Sequence, residues 1–148
     1  MEYEKIFITG STGVVGKPLL KKLVDKGHKV YSLDRSNVAN DEFKKIGVTS
    51  IIGDLFDDTL QDRLSNLNID AIFHVAGVNQ MCSKNSSLMF KTNIEGTKSM
   101  LALGNYLKVK KFVYTSSAVT LGEQHGSIGS ESSEHRGSFL SKYEESKY

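Results

Sequence analysis

With a single cysteine among 148 residues, the chain cannot form an internal disulfide, so its stability must come from a packed core, and a reducing compartment fits. Strong charge of either sign is also missing. Lys and Arg number 19 against 17 Asp and Glu, and a formal charge of +2 is too small to argue for nucleic acid or an anionic membrane as partner. No long apolar run is present. The longest, around residues 69–78, is interrupted by Asp70 and His74 and is far too short to span a bilayer. The N-terminus carries Glu2 and Glu4 rather than a basic segment leading into an apolar one, so no signal peptide is expected and the cytoplasm is the expected location. Metal-ligand spacing is missing too. His125 and His135 stand ten residues apart with no partner motif, and no metal is expected. The only proline, Pro18, falls in the first turn of a predicted helix, where a missing N–H does no harm.

What remains is an ordinary globular composition, 39% hydrophobic and 24% charged, in a chain the length of one domain. Short β-rich runs alternate with amphipathic segments. Strands are predicted at residues 5–9, 28–33, 49–52, 70–75 and 111–115. Helices are predicted at 14–26, with Leu19, Leu20, Leu23 and Val24 on the inner face, and at 41–46, 57–67 and 87–107. Gly27 and Gly47 are the natural residues to stop the first two. This alternation specifies an α/β fold, a doubly wound parallel sheet of Rossmann type with helices on both faces, spanning residues 1–148 as a single domain. The Gly/Ser-rich stretch 122–138 is the one predicted long loop.

The first predicted strand runs directly into Gly10-Ser11-Thr12-Gly13-Val14-Val15-Gly16. Glycines at 10, 13 and 16 between a strand and a helix form a phosphate cradle. Gly10 permits the tight turn, Gly13 removes a side chain where pyrophosphate must approach, and Gly16 lets helix and strand pack closely. The free N–H groups of the helix N-terminus then face the phosphates. Asp34 closes the second strand, 18 residues after Gly16, where a carboxylate can accept adenosine ribose hydroxyls and repel a 2′-phosphate. Arg35 follows directly and can attract that phosphate. Asp34 favours NAD, and Arg35 keeps NADP open.

Tyr143 and Lys147 have helical i, i+4 spacing and project from one face. A phenol with its ordinary pKa of about 10 is a poor base at neutral pH, and a nearby ammonium favours its ionised form. Such a tyrosine can move a proton to or from a substrate hydroxyl while hydride moves to or from a nicotinamide. Ser117, 26 residues upstream at the end of the fifth strand, can polarise the same oxygen. Ser116 is the neighbouring alternative. Of the other candidates, His74 reads as a packed, hydrogen-bonded histidine and Cys82 as a small packed thiol. Tyr114 reads as core and Tyr148 as surface. Lys108, Lys110 and Lys111 read as a solvated group at a helix end.

These motifs, in this order, make the chain resemble the extended short-chain dehydrogenase/reductase family, which includes nucleotide-sugar epimerases and dehydratases and dihydroflavonol-reductase-like enzymes. The likeness covers essentially all of the chain. It rests on the glycine motif, Asp34, Gly53-Asp54-Leu55, His74-Val75-Ala76-Gly77, Asn93-Ile94-Glu95-Gly96-Thr97, Thr115-Ser116-Ser117, and Tyr143 with Lys147. It implies an oxidoreductase, epimerase or dehydratase that acts on a secondary alcohol or ketone of a small-molecule substrate. It further implies that Gly10, Thr12, Gly13, Val14, Val15, Gly16, Asp34, Arg35, Asp54, Leu55, Val75, Ala76, Gly77, Asn93, Thr115, Tyr143 and Lys147 line the cofactor. Among these, Asp54 and Leu55 meet the adenine, and Ser117, Tyr143 and Lys147 form the catalytic triad. A homodimer through the 87–107 helix and the catalytic helix is implied as well.

Three departures qualify the likeness. Leu121 precedes Gly122 where many sugar epimerases have tyrosine, which moves the resemblance toward the reductases. Gly77 stands in place of the commoner alanine, a change expected to be harmless. The family also runs to roughly twice this length, so the substrate domain is expected to lie outside this chain. A helix reduced to its first turn is marginal without packing. Tyr143 and Lys147 are accordingly expected on a fraying tail, and the 148 residues alone are expected to bind dinucleotide with little or no turnover.

Overall fold

Five short runs rich in β-branched and aromatic residues become five parallel strands: β1 Lys5–Thr9, β2 Lys29–Asp34, β3 Thr49–Ile52, β4 Ala71–His74 and β5 Lys111–Tyr114. The computed structural model describes residues 3–37, 40–80, 86–121, 126 and 128–148. Strand order is β3-β2-β1-β4-β5, with Phe7 opposite both Tyr31 and Ile72, and Thr9 opposite Leu33 and His74. Among the described residues the chain divides into two compact units. The first comprises Met1–Ala76 and Gly96–Thr115, the second Gly77–Glu95 and Ser116–Tyr148.

The first unit contains the sheet. Its helices are α1 Gly16–Asp25, α2 Asn40–Lys45, α3 Leu60–Ser65 and, after the second unit's α4 Ser87–Phe90, α5 Gly96–Leu107. Successive side chains of β1 point to opposite faces, as a strand's period of two requires. Phe7 joins Tyr31, Leu33, Leu60, Leu64, Ile72, Met100 and Leu103 in one cluster, so α3 and α5 cover that face. Ile6 and Ile8 join Val30, Leu20, Leu23 and Phe43 in the other, covered by α1 and α2. Leu19 and Val24 pack against this second cluster as expected. Burying each such side chain stabilises the fold by about 1.5–3 kcal/mol.

Helix ends follow local chemistry. α1 stops with His28 N–H donating to Leu23 C=O and Gly27 N–H to Val24 C=O, and α2 stops the same way at Gly47 and Val48. The predicted helix 57–67 is shorter at both ends. Asp57 Oδ1 accepts from the Thr59 N–H and hydroxyl, which keeps residues 57–59 in a turn, and Asn68 adopts a left-handed φ of 52° after the other end. Asp57 also accepts from Arg63, and these hydrogen bonds, the Thr59 hydroxyl first, hold its pKa below the usual carboxylate value.

The long helical pattern over 87–107 forms three consecutive pieces, α4, a π-helical turn Lys91–Glu95, and α5. The second unit contains the first two of these, a 3₁₀ turn Ala118–Leu121, and α6 Lys142–Lys147. α6 packs on α4, on the π-helical turn and on the 3₁₀ turn. Ser141 caps it by accepting the Glu144 N–H at 3.1 Å, and Glu144 and Ser146 are buried. This six-residue helix therefore has side-chain anchors that its length alone does not suggest. Described residues between 122 and 138 form neither helix nor strand. No helix among the described residues is long and apolar enough to cross a membrane.

Candidate active site

In the first unit, the glycine motif is a closed turn between β1 and α1. Gly10 has φ of +73°, and its carbonyl accepts the Gly13 N–H at 3.0 Å. A Cβ at Gly10 would lie 2.6 Å from the Ala76 backbone nitrogen, and one at Gly16 would lie 2.7 Å from the Gly10 carbonyl carbon. Both positions are closed to any side chain. A Cβ at Gly13 would meet only the Gly10 carbonyl oxygen, at 3.3 Å, so the other side of that residue is open. Thr12 is exposed, and Val14 and Val15 stand 95% and 57% exposed at the rim. Apolar side chains left uncovered beside free helix N–H groups suit a ligand with both phosphate and apolar parts.

At the end of β2 the Asp34 carboxylate is only 5% exposed. Its Oδ1 accepts from Ser11 Oγ at 3.0 Å and lies 3.1 Å from Ser32 Oγ, while Oδ2 is buried with no hydrogen-bond partner among the described residues. A buried acceptor without a donor is costly unless a ligand supplies one. A ribose brings hydroxyl donors, so the residues present fit the adenosine end of a dinucleotide. Arg35, the next residue, is exposed. Asp54 is exposed too, and its Oδ1 accepts the Phe56 N–H at 2.7 Å. The Leu55 side chain belongs to the core and packs against Gly96, and its carbonyl accepts from Ser99 Oγ, so only 8% of the residue is exposed to a ligand.

β4 leaves the sheet beside the glycine turn. Thr9 Oγ1 accepts the Ala76 N–H at 3.2 Å and is hydrogen-bonded at 2.8 Å to His74 Nδ1, whose Nε2 meets Thr97 Oγ1 at 3.1 Å. His74 is fully buried and stacks on Tyr114 with ring centroids 5.8 Å apart, so it is the packed histidine its sequence position suggested. Tyr114 is half-buried rather than core, because β5 is an edge strand. Val75 is half-buried on the α1 side, and half-buried Thr115 donates its N–H to the His74 carbonyl.

In the second unit, Gly77, Asn93 and Lys147 converge. A Cβ at Gly77 would stand 3.2 Å from Lys147 Nζ and 3.3 Å from Asn93 Oδ1. Asn93 sits in the π-helical turn, 2% exposed, and such turns recur at functional sites. Its Oδ1 accepts the Val78 N–H, and its Nδ2 donates to the Val78 carbonyl and to Ser146 Oγ. Ser146 in turn donates to the Tyr143 carbonyl at 2.8 Å. Tyr143 is half-buried one turn before Lys147 on α6. Ser117 opens the 3₁₀ turn on which α6 packs, its carbonyl accepting from the Thr120 N–H and hydroxyl; Ser116 is exposed.

Between the two candidate catalytic residues lies a buried charge. Glu144 Oε1 accepts from Arg136 Nη2 at 2.6 Å, and Oε2 accepts the Leu140 N–H at 2.8 Å. Burial pushes the Glu144 pKa up, but the Arg136 guanidinium and the Leu140 N–H outweigh it and hold the group below its usual range. Sequence reading missed Ser11, Ser32, Arg136, Glu144 and Ser146. Only Ser32 carried a visible signal, a hydroxyl inside the otherwise apolar run Val30-Tyr31-Ser32-Leu33. Of the remaining candidates, Cys82, Gly122 and His125 lie outside the described residues, and Tyr148 is 69% exposed.

The family model described as NAD dependent epimerase/dehydratase matches residues 6–148. The chain is 30% identical to a 3-beta-hydroxysteroid dehydrogenase of Mycolicibacterium neoaurum, over 97% of this chain and 40% of that protein. It is 32% identical to a 2-alkyl-3-oxoalkanoate reductase of Shewanella oneidensis, over 95% of this chain and 36% of that protein. Its fold matches the UDP-glucose 4-epimerase of Bifidobacterium longum, solved with NAD+ and UDP, with a TM-score of 0.82 at 26% identity, covering 97% of this chain and 45% of that one. The chain thus spans less than half the length of these relatives.

Proposed function

Because the chain belongs to the NAD-dependent epimerase/dehydratase family, whose cofactor is NAD, we propose that it is the dinucleotide-binding part of an oxidoreductase or epimerase that works through Ser117, Tyr143 and Lys147. Its substrate is a secondary alcohol or the corresponding ketone. NAD, when bound, accepts or returns the hydride at the substrate carbon. The chain's own residues manage binding and the proton. The glycine turn from Gly10 to Gly16 and the N-terminus of α1 hold the pyrophosphate, and Asp34 accepts from the adenosine ribose. Asp54, Val75, Ala76 and Thr115 line the dinucleotide. Tyr143 takes the substrate's hydroxyl proton or returns it, Lys147 supplies the neighbouring positive charge and binds the nicotinamide ribose, and Ser117 donates a hydrogen bond to the same oxygen.

The observation that carries this reading is the place of Lys147, with Nζ beside Gly77 and Asn93 and Tyr143 one turn earlier on the same helix. The relatives named above act on a 3-hydroxysteroid, a 3-oxo acid and a sugar nucleotide. A ketone or secondary alcohol is common to all three, and Leu121 inclines the choice toward a reductase substrate. In the protein that contains this chain, Tyr143→Phe is expected to cut turnover by at least about a hundredfold while NADH binding is retained. Normal turnover in that variant would sink the mechanism.

A second reading has a specific observation behind it. The chain covers 36% and 40% of two of its curated relatives, and on this reading the 148 residues alone bind dinucleotide with little or no turnover. Turnover of the isolated chain at the rate of a full-length relative refutes it.

A further inference from the structure

Ser32 is a polar residue in a strand buried on both faces. It follows Val30 on the side of β2 that packs against α1, where a parallel strand normally presents an aliphatic side chain. Its exposure is 0%, and a hydroxyl taken out of water there is costly unless it is paired. Its partners are Ser11 Oγ at 2.6 Å and Asp34 Oδ1 at 3.1 Å. Ser11, from the glycine turn, is 1% exposed and donates to the same Oδ1 at 3.0 Å. Two hydroxyl groups from two different elements therefore converge on one oxygen of one carboxylate, and the other oxygen is buried without a partner among the described residues.

We propose that Ser11 and Ser32 are the positioning residues that set cofactor selectivity: they hold the Asp34 carboxylate in one rotamer, so that Oδ2 is kept as the acceptor for an adenosine 2′-hydroxyl and stands against a 2′-phosphate. The inference rests on the dinucleotide reading of the glycine turn. A carboxylate on a free aspartate side chain samples several rotamers and can swing away from a phosphate. One whose Oδ1 accepts from Ser11 of the turn, with the Ser32 hydroxyl of the strand set against both, stays in place. Discrimination then depends on residues that never touch the cofactor, which is why Asp34 beside exposed Arg35 leaves the NAD or NADP choice open in the sequence.

The test is a titration of the 148-residue chain with NADH and with NADPH, following nicotinamide fluorescence, for the unmutated protein, S11A, S32A and the double variant. Melting temperatures confirm that each variant is folded. The unmutated chain is expected to prefer NADH. In the double variant the ratio of the two affinities is expected to fall about tenfold, with each single variant between. The loss should fall on NADH and spare NADPH. Equal losses for both cofactors would mean that the serines only support the turn, and would overturn the inference, as would an unchanged ratio in folded variants. Preference of the unmutated chain for NADPH overturns it too and assigns selectivity to Arg35. Binding of neither cofactor overturns the dinucleotide reading itself, an outcome distinct from the others.

Discussion

Replacing Glu144 by Gln isolates what holds α6 in place. The carboxylate is 2% exposed and accepts from Arg136 Nη2 at 2.6 Å and from the Leu140 N–H at 2.8 Å, with His135 Nε2 at 3.5 Å from Oε1. Glutamine has one acceptor oxygen, so it can satisfy Arg136 or Leu140 but not both, and its NH₂ group must face the other donor. Removing one partner of a buried ion pair costs about 3–5 kcal/mol. The Arg136 side chain retains 18% exposure, so water recovers part of its solvation, and about 2 kcal/mol is the reasonable expectation. At about 1.4 kcal/mol per tenfold, amides of α6 should then exchange with solvent roughly thirtyfold faster. Hydrogen exchange by mass spectrometry reads this directly, with peptides covering 135–148 against peptides of β1 and β4 as internal controls. Arg136→Met should give the same pattern. Exchange of α6 unchanged beyond about twofold in both variants would refute the view that this pair anchors α6. The pH dependence has a definite sign. Because the folded-state pKa of Glu144 is lowered from 4.5, its stabilisation is present above that value and is lost only as pH falls below it. The part of α6 protection that Glu144 supplies, corrected for intrinsic exchange, should therefore decline as pH falls below 4.5.

Two more outcomes can be checked on the isolated chain. At Gly77, alanine should cost little, because the Lys147 tail can give the few tenths of an ångström that a Cβ at 3.2 Å requires and Asn93 Oδ1, at 3.3 Å, has less still to yield. Gly77→Val adds methyl groups against an Asn93 fixed by three hydrogen bonds, and should weaken NADH binding about tenfold or more without unfolding the sheet; undiminished NADH affinity would contradict this. Asp70 accepts from the Glu4 and Lys5 N–H groups and from Lys110 Nζ, and these bonds, Lys110 first, hold its pKa at about 2. A lowered pKa stabilises the fold above the ordinary value of 3.8 and ceases to do so as pH falls to about 2. Urea midpoints should drop across that window in the unmutated chain and less steeply in Asp70→Asn; equal slopes would remove Asp70 from the acid transition.

The fold was legible because its signals are local. β1 and β3 occupy the predicted residues, and every other strand lies within one residue of prediction at each end. Strand identity in a doubly wound sheet depends on short apolar runs between turn residues, and those need no distant partner to be recognised. Helix ends were read less well where side chains intervened: Asp57 holds its own turn and delays α3, and α1 begins at Gly16 because the glycine turn extends through Val15. The candidate site divides in the same way. Gly10, Gly13, Gly16, Asp34, Tyr143 and Lys147 announce themselves by spacing. Ser11, Ser32, Arg136, Glu144 and Ser146 do not, because their roles arise from partners 8 to 53 residues away in the chain.

The amino-acid sequence by itself determined the order of elements, the glycine turn between β1 and α1 and the pairing of a tyrosine with a lysine one helical turn on, since each is a matter of residue type and short-range period. Only the tertiary structure decided which groups are buried, and with what company. It places two serines on one oxygen of Asp34, turns a six-residue helix into an anchored one through Arg136 and Asn93, and brings Lys147 against a residue without a side chain at Gly77. The physical reason is that the cost of a buried polar group depends on whether a partner waits for it, and partners meet only when distant segments pack.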